Sequence, residues 1–248
     1  MYFPKGRLTI IAGPCAVESE SQVMEICEYI KGRAHIFRGG AFKPRTNPNS
    51  FHGLGWEGLG LLQHVRKHMP VITEATQVNN LIFVAEHTDI IQIGARNMYN
   101  MELLEIAGHC GKPVMLKRAF SAKIEEEWFA SAERIRMNGN ENIIMCERGI
   151  RTFEPYARNT LDLTAVRAVK DKLDYPVVVD SSHATGRPEM VIPMALAGVA
   201  CGADGIMVEV HNNPKKALCD GHQALTLEQF DELMERIEPV AKAVGKTI

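Results

Sequence analysis

Arg38, Lys43 and Arg45 fall within eight residues, in the stretch Ile-Phe-Arg-Gly-Gly-Ala-Phe-Lys-Pro-Arg-Thr (36–46). Three cations at the end of an apolar run, in a chain of net charge −2, read as an anion site, because phosphates and carboxylates take several convergent N–H donors. Pro44 stiffens the turn and Thr46 adds a hydroxyl. A solvated basic loop is the ordinary alternative. Arg96, Lys117, Arg148 and Arg187 also lie at or beyond the ends of apolar runs and bring the set to seven. Seven uncompensated cations meeting at one place would repel one another, so their convergence implies a polyanion: more than one phosphate, or a phosphate with a carboxylate.

A second set is Cys15, His183, Glu209 and Asp220. A thiolate, an imidazole and two carboxylates suit a divalent transition metal, Mn, Fe, Co or Zn rather than Mg or Ca. Singly, each has a plainer reading: a small buried apolar side chain, a hydrogen-bonded loop histidine, a core-paired carboxylate, a turn residue before Gly221. Convergence at one mouth is what favours a metal. His211 shares a strand face with Glu209 and is an alternative ligand. Beside the cations, a metal has a natural task, polarising a carbonyl oxygen as a Lewis acid.

Eight short apolar runs must position these groups: 8–13, 36–42, 71–75, 90–94, 114–118, 143–147, 177–180 and 206–210. Between or after them lie helical patterns with start signals, Ser19 with Gln22, Thr226 with Gln229, and Pro188. Strands apolar on both faces, alternating with helices, predict a parallel sheet, and eight units predict closure into a (β/α)₈ TIM barrel, a single domain over 1–248. Such barrels carry reactive residues at the C-terminal strand ends. Those ends read Cys15, Arg38 and Lys43, Glu74, Arg96, Lys117, Arg148, His183, and Glu209 with Asp220. Two long connections, 43–55 and 211–225, are of a length more often functional.

Other patterns point elsewhere. Gly53, Gly55 and Gly58 spell a dinucleotide fingerprint but follow a loop, not a strand. His64 and His68 sit among Arg66 and Lys67 on what reads as a solvated face, as does the charge-rich helix from Lys123 to Arg136. At 248 residues and 46% hydrophobic, the composition is globular, and the charge balance argues against nucleic-acid or membrane-surface binding. With no signal-peptide pattern or transmembrane-length run, the chain reads as cytoplasmic. The six cysteines, at 15, 27, 110, 146, 201 and 219, form no close paired motif, which argues against a disulfide framework or zinc ribbon.

Several strings resemble a known family: Ile-Ala-Gly-Pro-Cys-Ala-Val-Glu-Ser (11–19), Arg-Gly-Gly-Ala-Phe-Lys-Pro-Arg-Thr (38–46), Gln-Ile-Gly-Ala-Arg-Asn-Met (92–98), Cys-Glu-Arg-Gly-Ile-Arg-Thr-Phe (146–153), Ser-His-Ala-Thr-Gly-Arg (182–187) and Met-Val-Glu-Val-His (207–211). Together they are similar to the type I 3-deoxy-D-arabino-heptulosonate-7-phosphate (DAHP) synthases, β subgroup, over nearly the whole chain. The resemblance implies a transferase of the shikimate pathway that condenses phosphoenolpyruvate with erythrose 4-phosphate and releases phosphate. It matches Cys15, His183, Glu209 and Asp220 to metal ligands, Mn²⁺ foremost, with Fe²⁺, Co²⁺ or Zn²⁺ as alternatives. It matches Arg96, Lys117 and Arg148 to phosphoenolpyruvate contacts completed by Arg38 and Lys43, and Arg45 and Thr46 to the element holding erythrose 4-phosphate. Arg187 is expected among the substrate contacts, Lys117 as proton donor and Glu74 as the group orienting the attacking water.

The chain departs from the family pattern at Ser181, where proline is usual, at Ala119-Phe120 in place of Gly-Leu, and at Cys219, usually serine and here beside Asp220. The expectation is a short form without a fused regulatory or chorismate mutase domain, assembling as a homo-oligomer (dimer or tetramer), with a separate chorismate mutase as a candidate partner. Competing readings are 3-deoxy-D-manno-octulosonate-8-phosphate synthase, disfavoured because its loop looks like Lys-Ala-Asn-Arg-Ser rather than Lys43-Pro44-Arg45-Thr46; a Schiff-base aldolase using Lys117; and a catalytically silent barrel that binds phosphorylated metabolites.

Overall fold

The computed structural model describes residues 2–44 and 47–248; the expectations for Arg45 and Thr46 lie outside the described residues. Eight parallel strands close into a barrel in chain order: β1 Thr9–Gly13, β2 Ile36–Arg38, β3 Val71–Ala75, β4 Ile90–Ile93, β5 Val114–Lys117, β6 Ile143–Glu147, β7 Val177–Asp180 and β8 Gly205–Glu209. Closure is made by β8 on β1, in register from Thr9 opposite Gly205 to Gly13 opposite Glu209. Every strand residue is buried, which is why the strands read as continuous apolar runs rather than alternating ones. Ile11, Ile36, Ile72, Ile90, Met115, Ile144, Cys146, Val178 and Met207 fill the lumen, with Tyr2 and Phe3 packed against them. Alternate residues pack outward against the helices.

The helices are α1 Glu20–Ile30, α2 Trp56–Arg66, α3 Val78–His87, α4 Met101–His109, α5 Ala130–Met137, α6 Thr164–Lys172, α7 Ser181–Thr185, α8 Pro188–Ala200 and α9 Leu227–Ala243. Ser19 caps α1 through the Gln22 N–H, but the Gln22 side chain reaches the Glu18 N–H, one residue before the cap. Thr226 and Gln229 close a reciprocal capping box on α9, and Pro188 opens α8. The charge-rich segment begins as wide π-helical turns over Ile124–Phe129, anchored by the Trp128 Nε1–H to the Leu116 carbonyl at 3.2 Å. Among the described residues, no helix is long and apolar enough to cross a membrane.

The expected second strand, 36–42, ends early at Arg38. The chain then crosses toward the segment after β1: the Gly40 N–H donates to Cys15 O and the Val17 N–H to Gly40 O. Gly13 makes the approach feasible. It sits at φ +143°, and a Cβ there would lie 2.2 Å from the Arg38 carbonyl oxygen. Residues 211–225 are tied down by two 3₁₀ turns, Pro214–Lys216 and Gly221–Gln223.

Candidate active site

The C-terminal end of the barrel holds a narrow, polar cavity. Arg38, Lys43, Glu74, Arg96, Lys117, Arg148, His183 and Asp220 all line it. Cys15, His183, Glu209 and Asp220 converge, each offering one donor atom within 4.8 Å of the others. His211 stands outside this group: its Nδ1 accepts from the Asn213 N–H and its Nε2 lies 3.1 Å from Gln22 Nε2.

Each ligand is placed by local geometry. Cys15 lies two residues beyond Gly13, which ends β1 opposite Glu209 at the close of β8. His183 rides on α7, a single short turn capped by Asp180, whose side chain accepts the His183 N–H at 3.0 Å and its Nδ1–H at 2.8 Å. That leaves Nε2 facing Glu209 Oε1 at 3.2 Å, the arrangement by which a carboxylate orients a metal-binding imidazole. Asp220 is the one non-glycine residue among those described in the left-handed region, at φ 52°, a conformation aspartate tolerates better than most. Strained backbone of this kind persists where the surroundings over-determine it.

The electrostatics agree with a cation site. Burial opposes ionisation of Glu209, yet His183 and the Arg38 guanidinium hold its carboxyl down at about 2. Asp220, against burial, is held well below the usual carboxylate range by His183 and Arg158. The Cys219 thiol, 3.1 Å from Cys15 Sγ, pushes the Cys15 thiol up, and burial and Glu209 add to this. A metal held there would favour the Cys15 thiolate over the thiol. The donor set, one sulfur, one nitrogen and two carboxylates at one point, fits a divalent transition metal.

The cations are less uniform than their sequence suggested, and the expectation of seven uncompensated charges is corrected. Arg38 Nη1 donates to Glu209 at 2.6 Å and Lys117 Nζ to Asp180 at 2.5 Å, both pairs buried. Lys43 Nζ reaches Cys15 O and Sγ at 3.1 and 3.0 Å. Arg187 is not among the cavity-lining residues; it stacks on Tyr156 at 4.3 Å, donates to the Tyr156 carbonyl and pairs with Glu189. The left-handed Gly186, at φ 66°, turns the chain between α7 and Arg187. Arg96 and Arg148 instead have no ion-pair partner among the described residues, and lie 5.7 and 4.6 Å from the Phe120 ring centroid. Burial, with Arg158 adding, pushes the Arg148 guanidinium below its usual value. Arg38 Nε is a further buried donor with no partner among the described residues. Across the cavity the Gln92 amide holds one oxygen of Glu74 at 3.2 Å. The other oxygen lies against Gly94, where a Cβ would sit only 2.0 Å away.

Sequence reasoning gave no role to Asp180, Arg158, Gln92 and Gln223, and marked Phe120 only as a departure from the family pattern. Asp180 carried a signal, as the last residue of a strand three positions before a histidine. Arg158, 3.6 Å from Asp220, and Gln223, 2.6 Å from Glu209, lie in connections whose fold no local pattern specifies.

Comparison with known proteins accords with this geometry. Residues 5–245 match the DAHP synthetase I family. The chain is 50% identical over 243 residues to a phospho-2-dehydro-3-deoxyheptonate aldolase of Thermotoga maritima, covering 97% of this chain and 72% of that protein. A crystal structure of that Thermotoga DAHP synthase superposes with a TM-score of 0.95 at 49% identity, over 98% of this chain and 72% of the other. A truncated form of the Thermotoga enzyme gives 0.90 at 46% identity, over 98% and 90%. A 2-dehydro-3-deoxyphosphooctonate aldolase of Syntrophobacter fumaroxidans is more distant, at 32% identity over 97% of this chain and 90% of its own. The function is therefore that of a DAHP synthase, a transferase, with the octulosonate reading the more distant alternative. On the match to residues 5–245 and on half of all aligned residues shared with the Thermotoga enzyme, the chain belongs to the DAHP synthetase I family.

Proposed function

We propose that the cavity condenses phosphoenolpyruvate with erythrose 4-phosphate, with Arg96, Lys117 and Arg148 gripping the phosphate and carboxylate of the first substrate. The observation that carries this is the state of Arg96 and Arg148: two of the three arginines over the Phe120 ring, the two that line the cavity beside a metal-type donor set, and lacking an ion-pair partner among the described residues. Cations placed that way await an anionic ligand. Arg38 and Lys43 complete the anion pocket. Arg45 and Thr46 are assigned to erythrose 4-phosphate on the family resemblance.

Cys15, His183, Glu209 and Asp220 would hold the metal, Mn²⁺ first and Fe²⁺, Co²⁺ or Zn²⁺ as alternatives. When bound it supplies Lewis acidity for the sugar aldehyde. The chain's own groups do the rest. The arginines fix phosphoenolpyruvate so that its C3 meets the aldehyde carbon, converting an encounter into a positioned reaction. Lys117 Nζ, aimed by Asp180, donates the proton that turns the aldehyde oxygen into a hydroxyl. Glu74, aimed by Gln92, orients the water that adds at C2 before the C–O bond to phosphate breaks. A Lys117→Ala enzyme with near-normal turnover would remove the first role, and an unaffected Glu74→Gln enzyme the second.

The reading extends to a cytoplasmic homo-oligomer, dimer or tetramer, with a separate chorismate mutase as partner. The central test is phosphate release from phosphoenolpyruvate with erythrose 4-phosphate or arabinose 5-phosphate, with and without EDTA, and after Mn²⁺ is restored. Release with erythrose 4-phosphate alone, lost to chelator and recovered with metal, is expected. Release with arabinose 5-phosphate alone would refute the assigned acceptor.

A further inference from the structure

Lys117 and Arg148 stand on adjacent strand ends, and each has a charged neighbour in sequence that faces the opposite way. Met115, Ile144 and Cys146 point into the lumen, so Lys117 and Arg148 do as well, while Arg118 and Glu147 turn outward into the layer between barrel and helices. There Arg118 Nη1 donates to Glu147 Oε2 at 3.1 Å and to Asp162 Oδ2 at 2.7 Å, and its Nε donates to the Ala122 carbonyl at 2.9 Å. The other Glu147 oxygen accepts the Gly149 N–H at 2.6 Å and the Asp162 N–H at 3.4 Å. Asp162 Oδ1 accepts the Thr164 N–H at 3.1 Å, at the start of α6. Arg118 is 4% exposed and Glu147 fully buried.

We infer that Arg118, Glu147 and Asp162 are positioning residues for phosphoenolpyruvate, fixing the spacing and direction of Lys117 and Arg148 from behind the barrel wall; this rests on the function proposed above. None of the three lines the cavity, so their influence passes through the backbone they hold. Each end of the network grips chain directly beside a substrate cation: Arg118 follows Lys117, Glu147 precedes Arg148, and Gly149 follows it. Two carboxylates around one buried guanidinium are also a costly way to gain stability alone, because apolar residues of similar volume serve that purpose as well or better. What the network supplies is direction. Arg118 ties the β5 exit to the β6 exit and to the start of α6 in one fixed geometry, the kind of support on which binding geometry depends.

The test is steady-state kinetics of Glu147→Gln and Asp162→Asn in the metal-loaded enzyme, with thermal melting alongside. Misdirected cations raise the KM for phosphoenolpyruvate by about tenfold while the KM for erythrose 4-phosphate stays within about twofold, since small displacements of positioning groups act on the ligand they hold. A merely structural network would lower the melting temperature and the active fraction but leave both KM values unchanged, and that result would overturn the inference. Should Glu147→Gln not fold, Asp162→Asn carries the test, its side chain being 17% exposed and the milder change. A wild-type enzyme that releases no phosphate from the two substrates would instead overturn the underlying function. Active wild type with unchanged KM values overturns the positioning role alone.

Discussion

Replacing Asp180 by asparagine removes one charge from the most tightly enclosed part of the site. The carboxylate is fully buried and accepts from Lys117 Nζ, His183 Nδ1 and the His183 N–H. Asparagine keeps one acceptor oxygen, enough for the helix cap, and turns an amide toward the rest. Lys117, 4% exposed, then faces no counter-charge at that position. Breaking a buried ion pair on one side costs about 3–5 kcal/mol. For a chain of this size, each kcal/mol moves the melting temperature by about 2–4 °C, so Asp180→Asn should melt about 6–20 °C lower in EDTA at pH 7. Against burial, His183 and Lys117 hold the Asp180 carboxyl well below its ordinary value. A depressed carboxylate contributes stability that is complete above its unfolded value, about 3.9, and fades as pH falls toward the native one. The gap between wild type and variant should therefore be full at pH 7 and narrow on acidification below about pH 4. Metal titration by calorimetry should show affinity about 10–100-fold weaker, because the His183 Nδ1–H loses its acceptor. A melting difference under about 2 °C at pH 7, or one that widens with acid, would refute the reasoning.

Phe120→Leu removes the ring under Arg96 and Arg148; at about 1 kcal/mol for the lost cation–π support, the KM for phosphoenolpyruvate should rise about fivefold, and an unchanged KM would show that the ring is not the brace. Ser181→Pro should raise the melting temperature by about 2–4 °C: the Ser181 hydroxyl is buried without a partner among the described residues, and position one of a helix accepts proline. Asp204, against burial, is held below its ordinary value by Lys170, the Val177 N–H and Lys246. Its contribution is present above about pH 4 and lost below, so melting curves of Asp204→Asn should approach wild type between pH 5 and about pH 3; parallel curves would exclude it as an acid-sensitive tie.

The barrel was legible because strands covered on both faces show as uninterrupted apolar runs, and β3, β6 and β7 were found to the residue. The second strand was read too long because Gly-Gly-Ala-Phe is as apolar as a strand; only the crossing of the chain toward Cys15 ends it. Five-residue α7 is too short to show a period. The site's residue types were visible at the strand exits, but their pairings were not. Arg38 meets Glu209 across 171 residues and Lys117 meets Asp180 across 63, so local pattern could not distinguish a neutralised cation from a waiting one. Scattered spacing likewise hid the approach of Cys15 to Cys219, 204 residues apart.

The inward and outward alternation at the ends of β5 and β6 bears on redesign. Lys117 and Arg148 look like portable parts, two side chains that could be grafted onto any eight-stranded host. Each, however, arrives with a neighbour facing the opposite layer, and those neighbours are joined to Asp162 at the start of α6. A transplant that copies the lumen-facing residues alone would carry the instruments without their mounting. The smallest transferable cassette is two strand ends, the π-helical entry to α5, and the first turn of α6 together.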